Sequence, residues 1–389
     1  MIINESARFK KKLAIITHVP HWQDANGEYL AQESYVREIR IWADLFSEIE
    51  ILALKGEGPM NNHCTHHLKS NIKWKIIDYP QGNNWIDILH RLFRLPNLFI
   101  HIFNLIRKCD FTLTRSPGHP GLIGNFLLRI MGLPSLTKWA GEFSYYKGER
   151  LPSLIDRVLL NFPSKKNLVL IYGPNSKEHL ISFLPALMSN SELEYAHQLS
   201  LNKLWNPPLI IISVGRLIPI KNFSLTIKAL GKLNKKRPDL LWKFILVGYG
   251  PDKERLESLA REEGIIHLVK FTGGLSFSQL RNYYARSHIL VMANTKEGWP
   301  KVVAEAWAYS IYPLVAPAKL IPWILEKPDS GKLFQPNIDD LVKSLEEILD
   351  NPEYYKKISS NLHNYVKDLS LDSFRLRLEE IFTTRFGWK

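Results

Sequence analysis

Cysteine is scarce in this sequence: Cys64 and Cys109 are the only two among 389 residues. Two cysteines cannot build the disulfide framework of a small secreted domain, and their scarcity fits a reducing compartment. The composition, 45% hydrophobic and 23% charged, is that of a globular protein. The length suits two domains of about 150 to 200 residues each. We therefore expect a two-domain cytoplasmic protein.

Long uninterrupted apolar runs are also absent. The nearest approach to a membrane span is WIDILHRLFRLPNLFIHIFNLI, residues 85–106, where Arg91, Arg94 and Pro96 break the apolar stretch. A bilayer requires about 20 consecutive apolar residues, and the clean part is well short of that. Near the N-terminus the short run LAIIT follows a basic stretch without a small-residue cleavage site after it, so it is expected to be a first strand.

Acidic residues are outnumbered, since 51 Lys and Arg stand against 38 Asp and Glu and give a net charge of +13. The excess is concentrated between residues 51 and 177. Such a charge suits anionic lipid, nucleotide phosphates or nucleic acid, and composition does not choose among them. No recognition helix, zinc finger or RNA-binding signature accompanies it, so no nucleic-acid partner is expected.

Short apolar runs alternate with helical patterns along both halves of the chain. This alternation predicts βαβ units and an α/β protein whose parallel sheets are covered by helices. We expect an N-terminal domain over residues 1–190 and a C-terminal domain over 191–370, with a linker in the looser stretch 185–208. Residues 371–389 form a helical pattern that is expected to pack back on the N-terminal domain.

Three loops of the second half follow predicted strands, where ligands of open parallel sheets bind. In SVGRLIPIKN, residues 213–222, Gly215 ends the strand, and Arg216 and Lys221 suit two cations on one phosphate group. The alternative is two solvated surface charges. In LVGYGP, Gly248 and Gly250 lack the third glycine of a dinucleotide fingerprint, so close backbone packing beside a ligand is the more modest interpretation.

The third loop is EGWPKVVAEAWA, residues 297–308, in which two glutamates flank a predicted helix start at Pro300. Because carboxylates repel phosphate, Glu297 and Glu305 are expected to accept hydrogen bonds from sugar hydroxyls, while the helix amides and the Arg/Lys pair hold a diphosphate. The spacing alone is not specific, since about one such pair is expected by chance in a chain of this length. Its position after a buried strand gives it weight.

In this order, these motifs resemble the retaining glycosyltransferases of family 4. The matching segments are GR followed by KN at 215–222, LVGYGP, FTGGLSFSQL, EGWPKVVAE and EAWAYSIYPLVA, within residues 209–370. The first half resembles the family only in pattern. The resemblance implies the GT-B architecture, which is two Rossmann-like parallel-sheet domains with an interdomain cleft. The N-terminal domain would face the acceptor and the C-terminal domain would bind a nucleotide sugar.

The resemblance also implies an enzyme, a hexosyltransferase with a nucleotide-diphosphate sugar, UDP- or GDP-linked, as donor substrate and no cofactor. Arg216 and Lys221 would neutralise the diphosphate, Glu305 would bind the ribose, and Glu297 would bind the donor sugar. The implied donor-site residues are Gly215, Arg216, Lys221, Gly248, Gly273 near the base, Gly298, Trp299 and Glu305. The family transfers with retention and without a metal, in agreement with the absence of any D-x-D motif here.

Two departures from the family pattern concern single residues. Ser310 stands where glycine is usual before the next strand, and a mild strain is expected there. The loop after the first strand, HVPHWQDANGEYLA, carries Gly27 alone where the family usually has a glycine pair. The acceptor, expected to be a lipid-linked or polysaccharide glycan in cell-surface biosynthesis, is therefore not specified by this loop.

Three segments of the first half offer further candidates. In TRSPGHPGLIG the resemblance makes His119 a candidate catalytic residue close to the donor sugar, the alternative being a turn histidine without a ligand. Lys138, Glu142 and Tyr145 either line the cleft or decorate a flexible loop, and the loop is favoured. NNHCTHH, residues 61–67, crowds possible zinc ligands unlike a structural site, so a polar loop without metal is expected. The possible ligands are His63, Cys64, His66 and His67.

The apolar and basic stretch 85–108 allows two interpretations. Arg91, Arg94, Arg107 and Lys108 among Leu, Ile and Phe predict peripheral contact with an anionic membrane at its inner face. A plain amphipathic core helix pair explains the apolar residues equally well.

Three other functions were weighed against glycosyl transfer. A GT-B nucleotide-sugar epimerase would need a further acid/base pair, and a phosphorylase would need a recognisable pyridoxal lysine; neither is found. A non-catalytic GT-B subunit that binds nucleotide or a partner protein is disfavoured, because the four residues Arg216, Lys221, Glu297 and Glu305 are all present.

Overall fold

The computed structural model describes residues 6–58, 64–67, 69–80, 82, 84–146, 148–294, 296–318 and 320–388. The chain divides into two compact units. The first contains Met1–Phe183 and Arg375–Lys389, and the second contains Leu184–Phe374. The N-terminal unit is called the first domain below and the other the second domain.

The first domain is a parallel sheet whose strands run in the order β5-β3-β1-β6-β7-β8-β9. Its strands are β1 (Phe9–Gln23), β2 (Tyr29–Gln32), β3 (Phe46–Lys55), β4 (Cys64–His66), β5 (Ile72–Ile77), β6 (Phe111–Ser116), β7 (Ser135–Trp139), β8 (Asn167–Ile171) and β9 (Leu180–Ser182). Its helices are α1 (Glu33–Leu45), α2 (Trp85–Ile106), α3 (His119–Met131) and α4 (Leu151–Asn161). The strand order reverses between β1 and β6.

Strand β1 is longer than the five-residue apolar run predicts. Residues 13–16 are buried and pair with β3 and β6, as expected for a strand covered on both faces. The chain then stays extended to Gln23, where Trp22 and Gln23 pair antiparallel with β2, and β2 pairs with β4. This antiparallel extension occupies the place of the glycine-containing loop that the family pattern leads one to expect.

The second domain is a parallel sheet in the order β12-β11-β10-β13-β14-β15, which reverses between β10 and β13. Its strands are β10 (Leu209–Val214), β11 (Trp242–Val247), β12 (Val269–Gly273), β13 (Ile289–Met292), β14 (Tyr312–Val315) and β15 (Lys332–Leu333). Its helices are α5 (Asn190–Leu201), α6 (Phe223–Lys236), α7 (Lys253–Glu262), α8 (Phe277–Tyr284), α9 (Lys301–Ala308), α10 (Ile321–Ile324), α11 (Ile338–Asp350) and α12 (Pro352–Ser359).

The linker expected at 185–208 is wrong for half of its length, because α5 occupies Asn190–Leu201 within it. A capping box starts this helix: the Glu192 amide donates to Ser189 Oγ at 3.2 Å, and the Ser189 amide donates to Glu192 Oε2 at 2.8 Å. The S-x-x-E signal was present in the sequence and was overlooked. The division between the two units falls earlier, at Phe183 and Leu184.

The last helix, α13 (Leu371–Phe386), begins in the second domain and from Arg375 onward belongs to the first. Phe382 is fully buried, with its ring centroid 5.2 Å from that of Phe9 and 5.1 Å from that of Phe111. Trp388 stacks on Phe382 at 4.6 Å. The C-terminal segment therefore completes the aromatic core on one face of the first sheet. Among the described residues, no helix has the length and apolarity needed to cross a membrane.

Candidate functional site

The residues predicted to bind a donor follow the carboxyl ends of β10, β11, β12 and β13, on both sides of the point where the strand order reverses. In open α/β sheets this crevice is where ligands bind. Gly215, Arg216 and Lys221 follow β10, Gly248 follows β11, and Gly273 ends β12. The loop that carries Glu297 follows β13 and leads into α9. The sheet order thus brings loops distant in sequence to one edge.

A salt bridge joins the loops on the two sides of this reversal point. Lys221 Nζ donates to Glu297 Oε2 at 2.6 Å, and both side chains are about four-fifths buried. The Asn294 side-chain amide donates to the same carboxylate oxygen. Lys221 lies at the end of a 3₁₀ turn, after which Asn222 adopts a left-handed conformation with φ of 51°. The two side chains expected to bind different parts of the donor are therefore bonded to each other.

The other predicted cation, Arg216, is exposed at the start of the same loop. Within the described part of the chain its guanidinium has no ion-pair partner. Its neighbour Leu217 is buried, and the Leu217 amide donates to the Tyr249 carbonyl at 2.8 Å. The backbone under Arg216 is consequently fixed while its side chain remains available at the surface.

Glycines allow the first three loops to touch. A Cβ on Gly248 would lie 1.8 Å from the Gly215 carbonyl oxygen, and a Cβ on Gly250 would lie 2.3 Å from the Leu217 carbonyl oxygen. The Gly248 amide donates to the Gly273 carbonyl at 2.9 Å. The close backbone packing expected at LVGYGP is therefore present, and it requires residues without side chains.

Glu305 lies on α9 and is oriented by a residue that the sequence analysis missed. Tyr284, the last residue of α8, is fully buried, and its hydroxyl donates to Glu305 Oε2 at 2.7 Å. Burial, with the nearby Glu305 carboxylate, raises the pKa of the Tyr284 phenol well above its usual value. Leu280 is also buried one turn earlier, and this i, i+4 spacing is the signal that could have identified an inward-facing tyrosine.

The start of α9 differs slightly from the prediction. Pro300 was expected at the first helical position, but it is the N-cap residue, and the helix begins at Lys301. Gly298 and Trp299 precede it in the loop, and the Trp299 ring packs edge-on against Trp323 with centroids 6.1 Å apart. The loop that carries Glu297 is thus supported by an aromatic contact.

In the first domain, His119 lies at the equivalent place, after β6 at the reversal of strand order. It is the first residue of α3, is half-buried, and its ring centroid is 5.8 Å from that of Tyr79. Burial lowers its pKa, and the positive charges of Arg91 and Arg150 lower it further. Burial therefore favours the neutral imidazole, which is the form that a general base requires.

A second histidine near this turn was not singled out from the sequence. His18 lies on β1 beside Gly118, where an added Cβ would come within 3.1 Å of its ring. Burial lowers the pKa of His18 to about 4, and its Nδ1 lies 3.4 Å from the Arg115 carbonyl oxygen. The family pattern gave no reason to look here, because the resemblance of the first half is only general.

The favoured interpretation of Lys138 as part of a flexible loop is wrong. Lys138 lies on β7, is 5% exposed, and donates to Glu38 Oε2 at 2.5 Å. Glu142 follows this strand and accepts a hydrogen bond from Ser144, and Tyr145 is exposed with the Arg157 guanidinium over its ring. Lys138 is thus half of a buried ion pair, while Tyr145 is a surface residue.

The crowded NNHCTHH segment is only partly described, since His63 lies outside the described residues. Cys64 and His66 belong to β4, and His66 Nε2 is 3.0 Å from Asp24 Oδ2. His67 packs against Trp74 with ring centroids 4.5 Å apart. Part of the expected polar loop is therefore a strand.

Comparison with known proteins places the second domain in a family. Residues 202–364 match the family model described as Glycosyl transferases group 1. An uncharacterized glycosyltransferase of Haemophilus influenzae is 33% identical over 168 residues, 42% of this chain and 45% of that protein. The alpha-monoglucosyldiacylglycerol synthase of Acholeplasma laidlawii is 25% identical over 177 residues, 46% of this chain and 44% of the relative. The matches thus span less than half the length of these curated relatives.

The likeness to solved structures extends over both domains. Anabaena HepE, solved in complex with UDP and glucose, has a TM-score of 0.66 and 15% identity, over 96% of this chain and 100% of that one. At this identity the likeness shows the fold alone. It confirms the predicted fold class, α/β with two Rossmann-like parallel-sheet domains of the GT-B type.

Proposed function

We propose that this chain, whose second domain belongs to the glycosyl transferases group 1 family, is a retaining family 4 glycosyltransferase. It would move a hexose from a nucleotide-diphosphate sugar to a lipid-linked or polysaccharide acceptor. The observation that carries the proposal is the Lys221–Glu297 salt bridge across the reversal of strand order in the second sheet. It puts a cation for phosphate and a carboxylate for sugar hydroxyls at the same point of the ligand edge.

The diphosphate would be held by Arg216 and Lys221. An ammonium group has three N–H donors, so Lys221 can keep its bond to Glu297 and still donate to phosphate oxygens. The exposed Arg216 guanidinium presents a planar fork that matches phosphate geometry. As the bond between the sugar and the diphosphate breaks, negative charge grows on the leaving oxygen, and these two cations would stabilise it without a metal.

The sugar and the ribose would be bound by the two carboxylates. Glu297 would accept from donor-sugar hydroxyls, the amides of Gly298 and Trp299 would donate to oxygens of the same sugar, and Glu305 would accept from the ribose hydroxyls. Tyr284 donates to Glu305 Oε2 at 2.7 Å. A carboxylate has about four lone-pair sites, so Glu305 can keep this bond and also accept from a ligand. The packed glycines would let the backbone approach the nucleotide, with Gly273 near the base.

His119 remains the candidate catalytic residue of the first domain. A neutral imidazole can hydrogen-bond a sugar hydroxyl or accept the acceptor's proton, and burial favours the neutral form. UDP and GDP are the candidate nucleotides of the donor, and Anabaena HepE, which shares the fold, was solved with UDP and glucose. The pathway would be cell-surface glycan biosynthesis at the cytoplasmic face of the membrane.

Peripheral contact of residues 85–108 with an anionic membrane is part of the same proposal. Arg91 and Arg94 lie on the half of α2 that buries no side chain, and Trp85 and Phe93 on that half are 73% and 76% exposed. A core helix would bury such residues, so the alternative of an ordinary amphipathic core helix pair does not account for them.

Calorimetry with UDP, GDP, ADP and their hexose conjugates, with and without EDTA, tests the donor site. We expect one nucleotide to bind independently of metal. Lys221→Ala and Glu305→Ala should each weaken that binding by about tenfold to a hundredfold, since each removes a charged hydrogen-bonding group. Lys232→Ala, on the exposed face of α6, is the matched control and should bind normally. No binding by any nucleotide would favour the non-catalytic subunit.

A further inference from the structure

Three neighbouring helices of the first domain expose apolar side chains on the side that faces away from the sheet. α3 contacts both α2 and α4, so the three form one layer. The side chains that are more than a third exposed, together called the apolar face, are Trp85, Ile86, Ile88, Leu89, Leu92, Phe93, Leu95, Phe99 and Ile100 of α2, Phe126 and Ile130 of α3, and Leu151, Ile155, Val158 and Phe162 at α4.

This concentration is not the ordinary scatter of surface hydrophobics. Over the described residues, the apolar face holds more than half of the large hydrophobic side chains that are exposed. The first half of α2 contributes no buried residue, whereas Leu98, Ile102, Leu105 and Ile106 of its second half are buried. Contiguous exposed apolar surface of this kind marks an interaction site.

Charge on these three helices is almost entirely positive. The basic residues of segments 85–108, 119–131 and 150–162 are Arg91, Arg94, Arg107, Lys108, Arg129, Arg150 and Arg157, and the acidic ones are Asp87 and Asp156. Asp156 and Arg157 are buried, Arg157 pairs with Glu149, and Arg94 pairs with Asp78. The positive charge of the surface therefore comes from the remaining basic residues, which are Arg91, Arg107, Lys108, Arg129 and Arg150. An apolar face bordered by cations fits a partner that is apolar inside and anionic outside.

The basic residues also connect the apolar face to the ligand edge of the first sheet. Arg150 is the N-cap residue of α4, and His119 starts α3. The positive charges of Arg91 and Arg150 both act on His119, and Arg91 also acts on Tyr79, whose ring lies beside His119. The amino ends of α3 and α4 and the middle of α2 therefore converge next to the candidate catalytic histidine.

We infer that the outer layer of α2, α3 and α4 docks as one surface on an anionic lipid bilayer, with Arg91 and Arg150 at the phosphate headgroups. This extends the contact beyond residues 85–108 to α3 and α4. Resting on the proposed function, it also selects the acceptor class: a lipid of the docked bilayer, whose headgroup is presented at His119, rather than a polysaccharide in solution.

Charge argues against a second copy of this chain as the occupant. Packing two such surfaces together would bring Arg91 and Arg150 of both copies into one desolvated interface, where their like charges would repel. A bilayer containing anionic lipid supplies negative charge along its whole surface and hydrocarbon beneath it. The attraction between the basic residues and an anionic bilayer also weakens with added salt, and apolar self-association does not show this dependence.

The test is flotation of the full chain with vesicles of phosphatidylglycerol and phosphatidylcholine, compared with phosphatidylcholine alone. The triple variant Phe126→Gln, Ile155→Gln and Phe162→Gln removes exposed apolar side chains of α3 and α4 only, and we expect it to weaken partitioning by at least about tenfold. The control triple Leu241→Gln, Tyr354→Gln and Leu376→Gln changes equally exposed residues elsewhere and should leave partitioning unchanged.

The cationic border is tested by Arg91→Gln with Arg150→Gln. Each arginine near an anionic surface is worth about fivefold in partitioning, so the pair should cost about 25-fold at low salt and much less at high salt. The control is Lys232→Gln with Lys235→Gln on α6 of the second domain. The thermal unfolding temperature of every variant is also measured. A value within a few degrees of the parent shows that the variant is folded, so that any loss of vesicle binding is a loss of docking.

The outcomes separate docking from the proposed function. Vesicle binding that ignores the α3 and α4 changes would overturn the three-helix surface, and a dimer that needs the apolar face without any vesicle binding would overturn the bilayer as occupant. Donor binding is measured on the same proteins without vesicles. Docking without nucleotide binding would refute glycosyl transfer but not the surface, and equal transfer to soluble and vesicle-borne acceptors would refute the acceptor class.

Discussion

The two domains share one sheet order but treat its ligand edge in different ways. In both, the strands run outward from a central pair, and the order reverses between β1 and β6 in the first domain and between β10 and β13 in the second. In the second domain the loops at this edge contact each other through backbone, with Gly248 against the Gly215 carbonyl. In the first domain β1 runs on into an antiparallel extension, and His18 packs beside Gly118.

The difference lies in what holds each edge together. Backbone contacts and the Lys221–Glu297 bond leave the second edge little freedom, as a site for a fixed diphosphate and ribose would need. The first edge also has a backbone contact, in which the Ala140 amide donates to the Ser116 carbonyl at 2.6 Å, but it adds side-chain contacts: the buried Lys138–Glu38 pair and the His21 and His67 rings, which stack at 5.3 Å. Side chains can be exchanged without rebuilding backbone, so this edge suits an acceptor that varies between proteins of one fold.

Acid should give the largest difference in stability between the two domains, because the histidines whose pKa is lowered by burial lie mostly in the first domain. Burial lowers the pKa of His18 and His21 to about 4 and that of His67 to about 3, while in the second domain it lowers the pKa of His288 to about 4. A histidine with a lowered folded pKa stabilises the fold fully above about pH 6.5. That stability is lost as pH falls toward 4, by about 1.4 kcal/mol per pH unit for each group.

The first domain should therefore lose protection before the second when pH falls from 7 to 5. Hydrogen exchange resolved by peptide, with intrinsic rates corrected for pH, measures each domain separately. Earlier loss of protection in the strands of the second domain would contradict the assignment of acid sensitivity to the first.

One glycine-to-alanine substitution at each edge tests whether the second edge is more rigid than the first. In Gly248→Ala the new Cβ would meet the Gly215 carbonyl at 1.8 Å, and backbone must move, so we expect about 3 kcal/mol of destabilisation and loss of nucleotide binding. In Gly118→Ala the new Cβ meets the His18 ring at 3.1 Å, and a side chain can shift by tenths of an ångström. That variant should cost about 1 kcal/mol or less.

Urea denaturation measures the free energy of unfolding of both variants, and a nucleotide-binding assay measures their affinities. Similar costs for the two substitutions would mean that the second edge is no more rigid than the first.

Sequence reasoning recovered the parts of the fold that depend on local pattern. Buried strands such as β10 and β13 are short apolar runs, and the helices between them carry regular apolar spacing, so alternation alone predicts two parallel sheets. The donor-site residues were found because family motifs mark them, and their binding roles stay predictions. Ser310 was expected to be strained and has φ of 51°, the left-handed conformation that glycine adopts more readily.

The features that were missed are those that no local pattern encodes. The antiparallel extension depends on pairing between β1, β2 and β4, which are separated in sequence. Tyr284 reaches Glu305 from another helix, and Lys138 meets Glu38 across 100 residues. Such pairings are set by tertiary packing, and a single sequence names neither partner.

The buried tyrosine that donates to Glu305 gives a smaller test on the second edge. Tyr284→Phe keeps the ring and removes the hydroxyl that donates to Glu305, so the carboxylate loses its orientation and we expect donor affinity to fall about fivefold. Tyr283→Phe on the same helix is the matched control and should bind as the parent does. Calorimetry with the preferred nucleotide measures both, and equal affinity of Tyr284→Phe and the parent would mean that the carboxylate needs no such support.

The smallest expected effect is at Ser310, which stands where the family pattern has glycine. Ser310→Gly relieves a left-handed conformation that costs a non-glycine residue about 1 kcal/mol, but it removes the bond from Ser310 Oγ to Ser200 Oγ at 3.0 Å. Lys203 Nζ, which donates to the Tyr309 carbonyl at 2.6 Å, still holds the turn from the end of α5.

The two changes nearly cancel, so we expect Ser310→Gly to stabilise the second domain by less than about 1 kcal/mol in urea denaturation, and Ser200→Ala to destabilise it slightly. In the double variant, Ser200→Ala should cost less than it does alone, because its bond with Ser310 is already gone and only its bond to the His197 carbonyl, at 2.7 Å, remains to be broken. Additive effects would show that the strain at residue 310 and the contact with α5 are independent, and that α5 does not compensate for the missing glycine.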